Sequence, residues 1–130
     1  MSRRKSREAT MKLLYQIQFN SDDIELQILD MTEEEEILGK EKVYVSEIVN
    51  GVLQNVEDID KIIEENLTGW KMNRVSKVNL AILRLSIYEI LYREDIPNTV
   101  SINEAVELTK KFSGEDSKVF VNGLLAKVVD

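Results

Sequence analysis

Polar positions are scarcest between residues 75 and 93, VSKVNLAILRLSIYEILYR, a stretch free of Gly and Pro and long enough for about five helical turns. Val78, Ala81, Ile82, Leu85 and Ile90 recur at three- and four-residue steps, the period of an amphipathic helix. Val75, Leu80, Leu83, Ile87 and Leu91 fill most of the remaining circumference. A helix apolar nearly all round is one that neighbours cover on several sides. The pattern therefore predicts the central helix of an all-α domain. Lys77, Arg84 and Tyr88 share one narrow stripe with Ala81, while Asn79 and Ser86 form a second, small enough for a neighbouring helix to come close.

The same period recurs on both sides of this stretch. A first helix is expected over about 5–19, with Leu13, Leu14, Ile17 and Phe19, and with Met11 and Tyr15 beside them, on its apolar face. Ile24, Leu26, Ile28 and Leu29 suggest a short helix after the cap signal Asn20-Ser21-Asp22, and Gly39 is a candidate breaker. Helices over about 41–55 and 57–67 follow. Gly51 inside the first of these patterns reads as a close helix–helix contact, and Trp70 beyond the second as a core plug. Past the Ile96-Pro97-Asn98 turn, Ser101-Ile102-Asn103-Glu104 matches a capping box that would open a helix over 102–112. Asp116 is then a natural N-cap for a last helix over 117–129, where Gly123 again suggests close approach. Seven helices and no strand are expected, in one domain over 1–130.

Composition narrows the chemistry. With no Cys and no His among 130 residues, a disulfide framework, a thiolate zinc site, a thiol nucleophile and an imidazole base are all excluded. Carboxylates remain as possible ligands for a hard cation, but consecutive residues such as Glu33 to Glu36 point in different directions on a helix, which favours a solvated acidic segment over a metal site. No cofactor loop is visible. The basic opening lacks the apolar run of a signal peptide, and no segment reaches membrane-spanning length, so a cytoplasmic protein is expected.

The net charge of −7 conceals an asymmetry. Residues 1–12 carry five basic groups against Glu8 alone, whereas 22–36 carry eight carboxylates and no base, so the chain outside that acidic block is +1. Cations at a helix N-terminus oppose the macrodipole, so Arg3, Arg4, Lys5 and Arg7 are not placed there to stabilise the helix. Two readings are open: a frayed, solvated terminus, or exposed arginines that meet nucleic-acid phosphates.

The order of motifs resembles one family. RRKSREATMKLLYQ at 3–16, NGVLQNVEDID at 50–60 with Trp70, AILRLSIYEI at 81–90, IPNTVSINEAVELTKKF at 96–112 and EDSKVFVNGL at 115–124 are together similar to NusB, the bacterial transcription antitermination factors. The acidic segment near 22–39 matches least. The resemblance implies two perpendicular three-helix sub-bundles around a long central helix. It also implies binding of the boxA element of nascent ribosomal RNA together with the small-subunit ribosomal protein NusE, within an RNA polymerase antitermination complex. Carried over residue by residue, RNA contacts fall on Arg3, Arg4, Lys5 and Arg7, with Tyr15, Arg84 and Lys118 in support. Contacts to the ribosomal protein fall on Asp116 and Phe120, with Lys77 and Asn79. The basic run is short, which implies low RNA affinity without the ribosomal protein.

Bland roles stand beside these. Arg84 is equally suited to pairing with a carboxylate, Phe120 to packing in the core, and Asp116 to capping a helix. A rival reading is a helical protein–protein adaptor with no RNA affinity of its own. An RNA methyltransferase, a class to which such helical domains are sometimes fused, would need a Gly-rich cofactor loop that the sequence lacks.

Overall fold

A computed structural model describes residues 2–69 and 71–130; Trp70, expected as a core plug, lies outside the described residues. Seven α-helices follow one another: α1 (Arg3–Ile17), α2 (Ile24–Glu34), α3 (Gly39–Gln54), α4 (Val56–Glu65), α5 (Lys77–Tyr92), α6 (Asn98–Phe112) and α7 (Glu115–Val129). A single 3₁₀ turn, Met72–Arg74, precedes α5, and no strand occurs among the described residues. Helix α5 is the axis. It packs against α1, α3, α4, α6 and α7, while α1, α2 and α3 pack on one another and α6 packs on α7.

The near-continuous apolar surface of α5 explains its place. Leu80, Ala81, Ile82, Leu83, Leu85 and Ile87 are all buried, together with the polar Asn79, Ser86 and Glu89. Leu13 and Leu14 of α1, Val45, Ile48, Val49 and Val52 of α3, Ile59 and Ile63 of α4, Ala105 and Leu108 of α6, and Val121, Leu124 and Leu125 of α7 belong to the same core. Ser76 caps α5 by accepting from the Asn79 backbone N–H at 3.1 Å.

Gly51 is the close contact its position suggested. A Cβ added there would overlap the ring of Tyr88, so α3 can meet α5 at this point only with hydrogen in place of a side chain. Gly123 is different: a Cβ there meets nothing, and the expected close approach is absent. Two caps also differ from expectation. Helix α6 starts one turn early, after Pro97, which leaves Ser101 inside the helix; its hydroxyl donates to Glu89 at 2.7 Å instead of capping. The last helix begins after Gly114, whose φ of 121° closes the turn from α6, so Asp116 lies in the first helical turn and not at the cap. Near the acidic segment, Asp23 takes the capping role at φ 44°, its carboxylate accepting from Leu26 N–H at 3.2 Å.

Candidate nucleic-acid interface

A helix turns about 100° per residue, so the closely spaced arginines of α1 cannot share one environment. Arg3 faces α3: Nε and Nη2 donate to Glu41 at 2.9 and 3.2 Å, and the guanidinium lies 4.1 Å from the Tyr44 ring centroid. Ser6 donates to the same Glu41 at 2.8 Å. The Arg3 hydrogen bonds are the main reason the Glu41 carboxyl sits below its ordinary range, against the opposing pull of burial. Arg4 points the other way, to α6, where Nε and Nη2 donate to the two oxygens of Glu104 at 3.1 and 2.7 Å. Those bonds raise the Arg4 pKa and lower that of Glu104. Lys5 is exposed.

Arg7 lies inside the protein. The sequence places it among the exposed phosphate contacts, yet its side chain is 6% exposed and its Nε and Nη2 donate to Glu89 of α5 at 2.9 and 3.2 Å. Glu89 also accepts from Ser101 and from the buried Tyr44 hydroxyl, so one carboxylate joins α1, α3, α5 and α6. Burial, with Glu89 beside it, pushes the Tyr44 hydroxyl pKa well up, so the group remains a donor. Burial works to lower the Arg7 pKa, but the hydrogen bonds and charge of Glu89 outweigh it and leave the pKa raised. A guanidinium held in this way has no free edge for RNA.

Arg84 is also committed. Its fork meets Asp60 of α4 at 2.9 and 2.8 Å, the carboxylate pairing that the sequence left open. Tyr15 is 38% exposed at the far end of α1, in an edge-to-face pair with the still more exposed Phe19, ring centroids 5.2 Å apart.

Three basic groups do come together. Arg4, Lys110 of α6 and Lys118 of α7 line one shallow surface depression, interleaved with the carboxylates of Glu104 and Glu107 and with Asn103, Asn122, Val106 and Val119. Lys110 and Lys118 each touch a carboxylate one helical turn away, Glu107 at 3.7 Å and Glu115 at 2.6 Å. Lys110 and Glu104 were not picked out as site residues from the sequence. Their neighbours across the depression come from α1 and α7, and spacing along one helix carries no trace of such contacts.

The residues expected to meet a protein partner gather at the entry of α5 and α7. Asn79 is buried and donates through Nδ2 to the Ser117 hydroxyl at 3.2 Å, which ties the start of α5 to the first turn of α7. Asp116, next to Ser117, is exposed, as is Lys77. Phe120 is half-buried against the core and borders a groove with Asn66, Thr68, Val119, Gly123 and Lys127. No group of three or more His, Cys, Asp or Glu residues that could hold a metal occurs among the described residues. No helix among them is long and apolar enough to cross a membrane.

Residues 4–130 match the model of the NusB family. A transcription antitermination protein NusB from Ruminiclostridium cellulolyticum is 54% identical over 98% of this chain and 88% of its own length. A structure of T. maritima NusB superimposes with a TM-score of 0.91 at 36% identity, covering 98% of this chain and 90% of that one. A chain from the crystal structure of the antitermination factors NusB and NusE in complex with double-stranded RNA superimposes with a TM-score of 0.87 at 25% identity, covering 97% and 94% respectively. The match of sequence and fold along nearly the whole length leaves one conclusion: the chain belongs to the NusB family.

Proposed function

We propose that this protein is a transcription antitermination factor that binds the boxA element of nascent ribosomal RNA together with the ribosomal protein NusE, as part of an RNA polymerase antitermination complex. It acts in the cytoplasm, as one RNA-binding domain over 1–130, and has no catalytic role. The observation that carries the reading is the depression lined by Arg4, Lys110 and Lys118, in a chain of this family. Arg4, Lys118 and the exposed Lys5 are the direct phosphate contacts, with Lys110 added to them, while Arg3 is held on Glu41 away from that face. Tyr15 offers a ring for base stacking. Arg7 and Arg84 act at one remove: they hold α1 and α4 against α5. Asp116, Phe120 and Lys77 form the surface for the ribosomal protein, and the buried Asn79 acts from beneath it by holding the start of α5 to α7.

The adaptor reading has one observation in its favour: Arg3, Arg4 and Arg7 are each neutralised by a carboxylate of the same chain. Paired substitutions separate the two. Arg4→Ala with Lys118→Ala should lose boxA RNA and keep the ribosomal protein, whereas Asp116→Ala with Phe120→Ala should weaken the ribosomal protein first. RNA affinity untouched by the first pair would remove the proposed face. No RNA binding by the native protein, even with the ribosomal protein present, would favour the adaptor.

A further inference from the structure

Carboxylates and phosphates offer an arginine fork the same thing, two oxygens at matching separation. Glu104 takes that place on Arg4, with both oxygens on the Nε–Nη2 edge at 3.1 and 2.7 Å. The two side chains differ in freedom: Arg4 is 62% exposed and Glu104 16%. Arg4 can therefore swing out while Glu104 stays. The charge that Arg4 would leave behind also has a second partner, because Arg7 Nη1 lies 3.9 Å from Glu104 Oε1. The lysines of the same face lack such an arrangement, since Lys110 and Lys118 pair with half-exposed carboxylates of their own helices, which are weak and screened competitors.

We propose that Glu104 is an affinity-setting gate of the RNA face: it holds Arg4 in the free protein, and a phosphate of the RNA must take its place. Arg7 is the positioning residue that makes the exchange feasible, since it keeps Glu104 from being stranded without a counter-charge. This inference rests on the function proposed above. Free protein then presents a self-neutralised face, and RNA is held firmly only when other contacts, such as those of a bound partner protein, favour the exchange.

The test is fluorescence anisotropy with a labelled single-stranded boxA oligonucleotide, in the presence of NusE, on native protein and on Glu104→Gln, Glu107→Gln, Arg4→Ala and the double variant Arg4→Ala/Glu104→Gln. Glu104→Gln should tighten RNA binding by roughly two- to tenfold, the equivalent of about one hydrogen bond. Glu107→Gln removes the same charge from the same face and should do less. The gain should vanish in the Arg4→Ala background. Glu104→Asp keeps the charge beside Arg7 but shortens the reach to Arg4, so it should show part of the gain even if the Gln variant melts early. The gate is overturned if Glu104→Gln weakens binding, if it merely equals Glu107→Gln, or if its gain survives without Arg4. Those results leave the RNA-binding function standing provided Arg4→Ala still weakens binding. If Arg4→Ala binds like native protein, the gate and the proposed Arg4 contact fall together.

Discussion

Arg7 and Glu89 meet inside the protein, with Nε and Nη2 donating to the two carboxylate oxygens at 2.9 and 3.2 Å. A pair so buried is costly to break from one side, because the surviving charge keeps its desolvation penalty without its partner. Arg7→Ala should therefore cost about 3–5 kcal/mol and lower the melting temperature by roughly 10 °C or more. Arg4→Ala, three residues away and on the surface, removes a solvent-screened pair and should lower the melting temperature far less. Thermal melts of the two variants side by side check this, and similar melting points would contradict the assignment of Arg7 to the core.

That contrast marks what was legible in the sequence. The apolar circumference of α5 gave its central place, because period and burial are properties of one segment. The direction each arginine faces depends on which helix lies opposite, and Glu89 and Glu104 stand 82 and 100 residues away from Arg7 and Arg4. One signal was available: Glu89 is the lone carboxylate of a helix that is apolar nearly all round, and such a group, once buried, needs a partner. Ser101 misled for a related reason. Its spacing to Glu104 fits a capping box, yet both side chains turn to partners on other helices.

Glycines offer a sharper contrast. Gly51→Ala improves intrinsic helix propensity but pushes a methyl into the Tyr88 ring, so it should destabilise by about 1–3 kcal/mol. Gly123→Ala meets open space and should stabilise by up to about 1 kcal/mol. Urea unfolding of both variants gives the signs directly.

Acid should weaken the fold in a predictable way. Arg3 holds the Glu41 carboxyl below its ordinary value of 4.5, and Arg4 does the same for Glu104. A carboxyl with a depressed folded-state pKa stabilises fully above its unfolded value, and that contribution is lost as pH falls through the lower folded value. The urea midpoint should thus be insensitive to these groups near neutrality and fall below about pH 4.5. Glu41→Gln should start less stable at pH 7 and lose less between pH 4.5 and 3, so a fall as steep as that of native protein would contradict the Arg3–Glu41 linkage.

Salt should weaken RNA binding, but less than the basic terminus alone would suggest. With Arg7 buried and Arg84 committed to Asp60, up to about four groups remain to meet phosphates: Arg4, Lys5, Lys110 and Lys118. For single-stranded RNA that corresponds to a log–log slope of roughly −2 to −3. Titrations at several salt concentrations should give that value, and Lys118→Ala should reduce it by a little under one. A slope near zero would mean that the face makes no phosphate contacts.

The proposed function has RNA and the ribosomal protein bound together on this protein, each helping to hold the other. Linkage then requires that each tighten the other's binding by the same factor. Isothermal titration around the full cycle measures this: boxA RNA into the protein with and without NusE, and NusE into the protein with and without RNA. Two equal factors, each well above one, are the predicted result. Factors of one on both legs, with RNA and protein binding independently, would contradict the claim.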